Sequence, residues 1–282
     1  MKDWKVITQL NDLRHLDWTR TRRSSGTAGS FLKASETRKG VRWYYKLSDY
    51  DAWRGIVGHE CINEIIVDRL LTLLKIPHLS YQLIYAKIII DGKEYITWLC
   101  RSEDFKKTGD SKIALDVYYQ MERIHGESPL EFCIRQGWAE YIYQMLIIDF
   151  LILNRDRHGA NMEVLRNRSH KTVRLAPLFD HGLSLYFSAH EEKQLVSADP
   201  LSDKRVQCFV GSHSAAENLL LIPDEYRRLP GCLTKESRAY LFADLEDALP
   251  GPWRDAIWEM LWKRWEYYED FCNSRRFYCQ GP

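Results

Sequence analysis

The run "YIYQMLIIDFLIL", residues 141 to 153, is among the most apolar stretches of this chain, and it stops abruptly at "NRDRHGAN", residues 154 to 161. A helix that is apolar on more than one face belongs at the centre of a domain, because no orientation gives it a face for water. The charged loop that follows is therefore mounted on the most rigid part of whatever the chain folds into. Ser128–Pro129 is a helix start signal, and the apolar pattern predicts one helix running from there through "SPLEFCIRQGWAEYIYQMLIIDFLIL". Helix capping accounts for a glycine and a cation at its end. It does not require Asp156 and Asn161 five residues apart, followed by Asp180 in "LAPLFDHG".

The segments before this helix have a different character. "SFLKASETRKGVRWYYKL", residues 30 to 47, contains two β-rich runs around a polar turn and reads as a hairpin, with the Ser/Gly-rich loop "SSGTAG" (24 to 29) ahead of it. "HECINEIIVDRLLTLLKI" (59 to 76) has Ile62, Ile65, Ile66, Leu70, Leu73 and Leu74 at helical spacing. Two further strand-like runs, "SYQLIYAKIII" and "KEYITWLC", are joined by the turn signal "DGK". After Cys100 the pattern becomes helical, and charged amphipathic segments fill the last 65 residues. The order predicts an α+β, bilobal fold. A small antiparallel β-rich N-lobe with one helix spans 1–101, and a larger, mainly helical C-lobe spans 102–282.

Composition narrows the function. With 45% hydrophobic and 28% charged residues the chain is globular, and a net charge of +1 supplies no general attraction to nucleic acid or membrane. No basic recognition helix supports a helix-turn-helix. The histidines lack HExxH spacing and the seven cysteines lack CxxC spacing, so the cysteines read as reduced structural thiols. No window approaches the roughly 18 consecutive apolar residues of a membrane span, and "MKDWKVITQLNDLRHLDW" has no signal-peptide core, so the expected location is cytoplasmic. The C-terminal tryptophans 253, 258, 262 and 265 recur at near-helical spacing, which favours packing over ligand stacking.

Asp156, Asn161 and Asp180 have the order and spacing that phosphoryl transfer needs. One aspartate orients the attacking hydroxyl and accepts its proton, while an asparagine and a second aspartate offer hard oxygen ligands to Mg²⁺. The remaining parts lie upstream in sequence. "SSGTAG" offers small residues whose backbone N–H groups suit phosphates, with Ser25, Gly26, Thr27, Gly29 and Ser30 as candidates. Lys46 in "WYYKLS" is the candidate phosphate-binding lysine, and Glu64 or Glu60 on the following helix is its candidate carboxylate partner. "TWLCRSEDF", with Leu99, reads as the connector whose backbone holds adenine. Arg155 and Arg157 remain open between a structural pair with a carboxylate such as Asp149 and an activating phosphate.

These motifs together resemble the HipA-like serine/threonine kinases. The likeness rests on "SSGTAGSFLKA", "YYKLS", "ECINEIIVDRLLTLLKIPHLSY", "LNRDRHGANMEVL" and "PLFDHGLSL", and covers most of the chain. The chain lacks the extra N-terminal region of the larger HipA toxins and is closer to compact bacterial members of the group. Its metal motif is DHG rather than DFG, so the switch role of that phenylalanine does not transfer to His181. The resemblance implies a bilobal protein-kinase-like fold, ATP and Mg²⁺ as cofactors, and Asp156 as catalytic base. It implies Asn161 and Asp180 as metal ligands, Lys46 paired with Glu64, and His158 as a catalytic-loop residue, either organising the loop or standing near the γ-phosphate. It also implies autophosphorylation at Ser24, Ser25, Thr27 or Ser30, with Arg20, Arg22 or Arg23 available to pair with the phosphate. The implied partner is a protein substrate, with room for an antitoxin. The competing classes are a small-molecule or lipid-headgroup phosphotransferase and a nucleotide-binding pseudokinase regulator.

Overall fold

The structure is a computed structural model and describes residues 5–21 and 28–274. Its first half is built on a six-stranded sheet. The strands are β1 (Val6–Asp12), β2 (Thr19–Thr21), β3 (Ala28–Arg38) and β4 (Val41–Lys46); a short hairpin, β5 (Tyr50–Asp51) and β6 (Gly55–Ile56), precedes helix α1 (Glu60–Leu73), and β7 (Tyr81–Ile90) and β8 (Lys93–Glu103) complete the sheet. The spatial order is β1-β7-β8-β4-β3-β2, and every pairing is antiparallel except β1 with β7. Both long hairpins turn on two residues of positive φ, Lys39–Gly40 and Asp91–Gly92. That backbone twist matches the twist of the flanking strands, which is why the "KG" and "DG" pairs fix register here.

Register then decides which side chains share a face. Lys33 lies opposite Lys46, which lies opposite Cys100; one row on, Ser35, Tyr44 and Ser102 align. The opposite face carries Ala34, Tyr45, Leu47, Ile84, Ala86 and Leu99, covered by Leu13 and Leu16 in a small separate core. Each fully buried aliphatic side chain there contributes about 1.5–3 kcal/mol.

The second half comprises β9 (Asp110–Ala114), α2 (Leu115–Glu122), α3 (Pro129–Arg135), α4 (Ala139–Leu151), β10 (Asp156–Arg157), β11 (Glu163–Asn167), β12 (Thr172–Leu175), α5 (Glu192–Val196), β13 (Gln207–Cys208), α6 (Ala215–Leu219), α7 (Ser237–Leu241) and α8 (Gly251–Ser274). The single helix expected from Ser128 is two. Its start stands as expected, with Pro129 in the first turn and a reciprocal capping box between Ser128 and Glu131. Gly137, at φ 79, then ends α3: its N–H donates to Ile134 O at 2.9 Å and that of Trp138 to Cys133 O at 3.0 Å. This paired closure satisfies the last carbonyls and turns the chain before α4 begins.

The region after Cys100 also differs from expectation. β8 continues to Glu103, past the expected lobe boundary, and β9 adds a strand that pairs with β11. Helix α1 is buried on nearly every side rather than half-exposed. Its apolar residues pack on the main core, while Arg69 donates to Leu241 O and Ala243 O at 3.1 and 2.7 Å in the helical half. Trp265 is buried in that core, and Trp253, Trp258 and Trp262 pack against it. The six described cysteines are free.

Gly231 shows how closely the halves are fitted. A Cβ there would stand 2.2 Å from Leu73 O and 2.6 Å from Leu74 Cα, both backbone atoms. Gly231→Ala is expected to cost about 1–3 kcal/mol by overpacking. A thermal melt indistinguishable from wild type would contradict that contact.

Candidate active site

Three side chains converge below the end of β4. Lys46 Nζ donates to Glu64 Oε1 at 2.7 Å and to Asp180 Oδ1 at 2.5 Å, and the Phe31 ring lies 5.1 Å from the ammonium. Lys46 is 8% exposed. Burial alone would push its pKa down; the Asp180 and Glu64 carboxylates outweigh it and hold the ammonium well above the ordinary lysine range. Of the two candidate glutamates, Glu64 is the one that pairs. Glu60 instead accepts the Asp49 N–H at 3.1 Å, and burial raises its pKa.

Glu64 also reaches across to the DHG loop. Its carboxylate accepts the backbone N–H groups of His181 and Gly182 at 2.9 and 3.1 Å, and Asn63 donates to Gly182 O and Ser184 O at 3.0 and 2.8 Å. The polar face of α1 is thus spent on the loop that carries Asp180. Asp180 has φ 59, uncommon for a residue with a side chain, and its N–H donates to the Tyr81 hydroxyl at 3.3 Å. Gly182 is needed for the approach, since a Cβ there would lie 2.9 Å from Lys46 Nζ. His181 is buried, and its burial together with Arg157 keeps its pKa far below the usual histidine value.

The charged loop is resolved by one buried pair. Arg157 Nε and Nη2 each donate to Asp149 on α4 at 2.8 Å, and Asn154 Nδ2 donates to the same carboxylate at 2.9 Å. Arg157 therefore takes the structural alternative. Its Nη1 also donates to Asn161 O at 3.4 Å and Phe179 O at 3.2 Å, tying the catalytic-loop candidates to the residue before Asp180. Arg155 Nε donates to Arg205 O at 2.5 Å.

Asn161 Nδ2 donates to Asp156 O at 2.8 Å and Asp156 Oδ2 at 3.0 Å. His158 Nδ1 accepts the Ala160 N–H at 3.1 Å, and its Nε2 lies 3.5 Å from Asp156 Oδ1. β10 pairs in parallel with β13, so Asp156 lies in register with Gln207 on that strand. Gly159 lets the loop meet α2, where a Cβ would come within 2.5 Å of Asp116 Cβ.

A cleft of about 620 Å³ opens beside this cluster, within the common range of about 300–1,000 Å³ for small-ligand sites. Lys33, Tyr44, Lys46, Cys100 and Ser102 line its sheet side, and Phe105, Lys112, Glu163, Phe179 and Asp180 face them. Asp156 and Asn161 are not part of this lining. Leu99 is not either: strand alternation turns it to the opposite face, where it is fully buried, and its neighbour Cys100 takes the cleft position. Gly29 and Ser30 begin β3 instead of ending a loop, whereas Ser24, Ser25, Gly26 and Thr27 lie outside the described residues.

Lys33, with Nζ 3.6 Å from Asp180 Oδ2, and Asn63 are site residues that the pattern did not single out. Lys33 sits inside the quoted "SFLKA" run, and only register with Lys46 reveals its position.

The donor set bears on a metal. No group of three or more His, Cys, Asp or Glu side chains that could hold an ion occurs among the described residues. Mg²⁺ bound through one or two protein oxygens plus phosphate needs no such group. Asp180 and Asn161, a carboxylate and an amide carbonyl, have the right chemistry for that mode, and Asn161 Nδ2 donates to Asp156.

His59, at the start of α1, is 8% exposed, and burial pushes its pKa down to about 4. In the unfolded chain an ordinary histidine titrates near 6.5. Below pH ~6.5 the unfolded state takes up a proton that the folded state refuses, so stability is full above that pH and falls as pH drops toward 4, by up to about 1.4 kcal/mol per pH unit. His59→Phe is expected to flatten this slope in melts between pH 7 and 5; an unchanged slope would assign the proton elsewhere.

No protein-family model matches the chain. Among curated proteins, a serine/threonine-protein kinase, CtkA of Helicobacter pylori strain J99, is 28% identical over 129 residues, 41% of this chain and 38% of that protein. The sequence match thus spans well under half of the relative. Among solved structures, the H. pylori proinflammatory kinase CtkA superposes with a TM-score of 0.64 at 14% identity, covering 96% of this chain and 99% of that one. HipA from a Shewanella oneidensis MR-1 toxin-antitoxin complex with HipB and operator DNA gives 0.47 at 15% identity, over 91% and 67% of the two chains. The arrangement of strands and helices described above is the fold of the CtkA structure.

Proposed function

We propose that this chain, which has the kinase-like fold of the CtkA structure, is an ATP- and Mg²⁺-dependent serine/threonine protein kinase of HipA-like type. The observation that carries the reading is the convergence of Lys46, Glu64 and Asp180 at the cleft, cross-tied through Arg157 to the loop of Asp156 and Asn161. Lys46 binds the nucleotide's phosphates and is aimed by Glu64. Asp156 orients the acceptor hydroxyl and takes its proton, with Asn161 Nδ2 fixing the carboxylate. Asp180 and Asn161 hold Mg²⁺, which when bound neutralises charge on the transferring phosphoryl group. In this scheme residues 1–101 form the nucleotide-holding lobe and 102–282 the lobe of the catalytic loop.

The finer reading is a bacterial, cytoplasmic toxin or signalling kinase acting on a protein, with an antitoxin as partner. It autophosphorylates within Ser24, Ser25, Thr27 and Ser30. The test is incorporation of labelled γ-phosphate from Mg·ATP into the protein and into a cell lysate, for wild type and Asp156→Asn, followed by phosphosite mapping. The expected result is label in the wild type alone, with the self-phosphorylated site between residues 24 and 30. No label in any protein, with the two chains behaving identically, would refute the activity.

A further inference from the structure

Lys112 on β9 and Glu163 on β11 form a charged pair inside the cleft that the phosphoryl-transfer chemistry does not use. Lys112 pairs in register with Leu165, so Glu163 is its diagonal neighbour on the same face, within reach of a long side chain. Nζ and Oε2 are 3.2 Å apart, and the side chains are only 19% and 15% exposed. The contact is electrostatic without being directional: Glu163 Oε2 is buried and has no hydrogen-bond partner. A buried carboxylate oxygen without a donor is costly unless a ligand supplies one.

The surroundings give the ligand's shape. The Lys112 ammonium lies 5.1 Å from the centre of the Phe105 ring and 5.9 Å from that of Tyr44, and Phe105 packs on Phe179 at 5.6 Å. Tyr44 is two residues before Lys46 on the same strand face, about 7 Å along it, and Phe179 adjoins Asp180. The pair therefore sits in an aromatic slot next to the phosphate-binding end of the cleft. An ammonium only donates hydrogen bonds and a carboxylate only accepts them. Side by side, they complement a flat ring edge that presents an acceptor next to an amine donor.

We propose that Lys112 and Glu163 select the base of the nucleotide, Glu163 accepting from the exocyclic amine of an aminopurine and Lys112 donating to a ring nitrogen or carbonyl oxygen on the same edge. This rests on the reading of the cleft as a nucleoside triphosphate site and names the residues that choose among such nucleotides. Adenine offers its 6-amine beside N1; guanine offers N1–H and its 2-amine beside O6. Adenine sets its amine directly beside the acceptor, whereas in guanine N1–H stands between the 2-amine and O6, so the carboxylate would accept from both donors while Lys112 reaches O6.

The test is calorimetric binding of ATP and of purine riboside triphosphate, which lacks the 6-amine, together with GTP and ITP, which lacks the 2-amine. Wild type is expected to prefer one amino nucleotide over its partner by about tenfold to hundredfold, the range for a hydrogen bond to a charged group. Glu163→Ala and the closer mimic Glu163→Gln should reduce that ratio several-fold, mainly by weakening the amino nucleotide. The double variant K112E/E163K separates recognition from scaffolding: it keeps an ion pair, so it is expected to melt like wild type and still lose the preference. Preference for ATP over its partner identifies adenine, while preference for GTP over ITP identifies guanine and would replace ATP by GTP in the proposed function. A wild type blind to the amines, or Glu163 variants that keep the full ratio, would overturn the proposal while leaving the kinase reading standing. A wild type that binds none of the four nucleotides would overturn both.

Discussion

Asp180→Asn is expected to lower phosphoryl transfer by about 10³-fold or more, some 4 kcal/mol of barrier, while the protein still folds. The substitution is nearly isosteric, and the amide oxygen of asparagine can still accept from Lys46, whose ammonium keeps its second partner, Glu64. The melting temperature should therefore move by no more than about 4 °C, equivalent to about 1 kcal/mol. What is lost is a full negative charge at the point where the proposed Mg²⁺ is held, and higher Mg²⁺ should recover only part of the rate. Single-turnover transfer measured over a range of Mg²⁺ concentrations checks this. Equal rates for the two proteins at every concentration would remove Asp180 from the metal site.

The second large effect concerns stability. Asp149→Ala is expected to destabilise the protein by about 3–5 kcal/mol, because it leaves Arg157 with its charge buried and uncompensated. Arg157 is 1% exposed, and its Nε and Nη2 both depend on that carboxylate. Replacing both partners, as in D149L/R157M, should recover most of the loss, since two apolar side chains remove the charge problem together. The double variant should nevertheless transfer phosphate poorly, because the Arg157 bonds to Phe179 O and Asn161 O vanish with the guanidinium. Chemical denaturation beside an activity assay separates the two effects. A double variant that regains both stability and activity would show that the cross-tie does not position the loops.

Those two residues also show how much the chain discloses before it is folded. The apolar run, the capping signals at Ser128 and the turn residues at Asp91–Gly92 are local, and the elements formed where those signals stand. The motif residues were legible for the same reason: Asp156 and Asn161 lie close in sequence, and Lys46 and Asp180 end apolar segments. Gly137 is the local signal that splits the long helix, and it stands between apolar residues whose pattern runs on past it. β1 was hidden because its parallel partner, β7, is far away in sequence. Helical periodicity showed which residues of α1 are apolar, but it cannot show that the opposite face, with Asn63 and Glu64, is covered by the DHG loop. Lys33, Lys112 and Glu163 acquire meaning only from register across strands and from what the cleft brings near them.

The grip of α1 on the DHG loop limits how such a molecule can be switched. Two backbone N–H groups and two carbonyls of the loop are bound by Asn63 and Glu64, and Arg69 fastens the same helix to the far half by two more carbonyls. Swinging α1 outward to part Glu64 from Lys46 would strip all of these buried groups of their partners in one movement, a cost that rises with each group left unpaired. The helix behaves as a rivet through the molecule rather than as a lever, which moves the burden of control onto the strands that line the cleft.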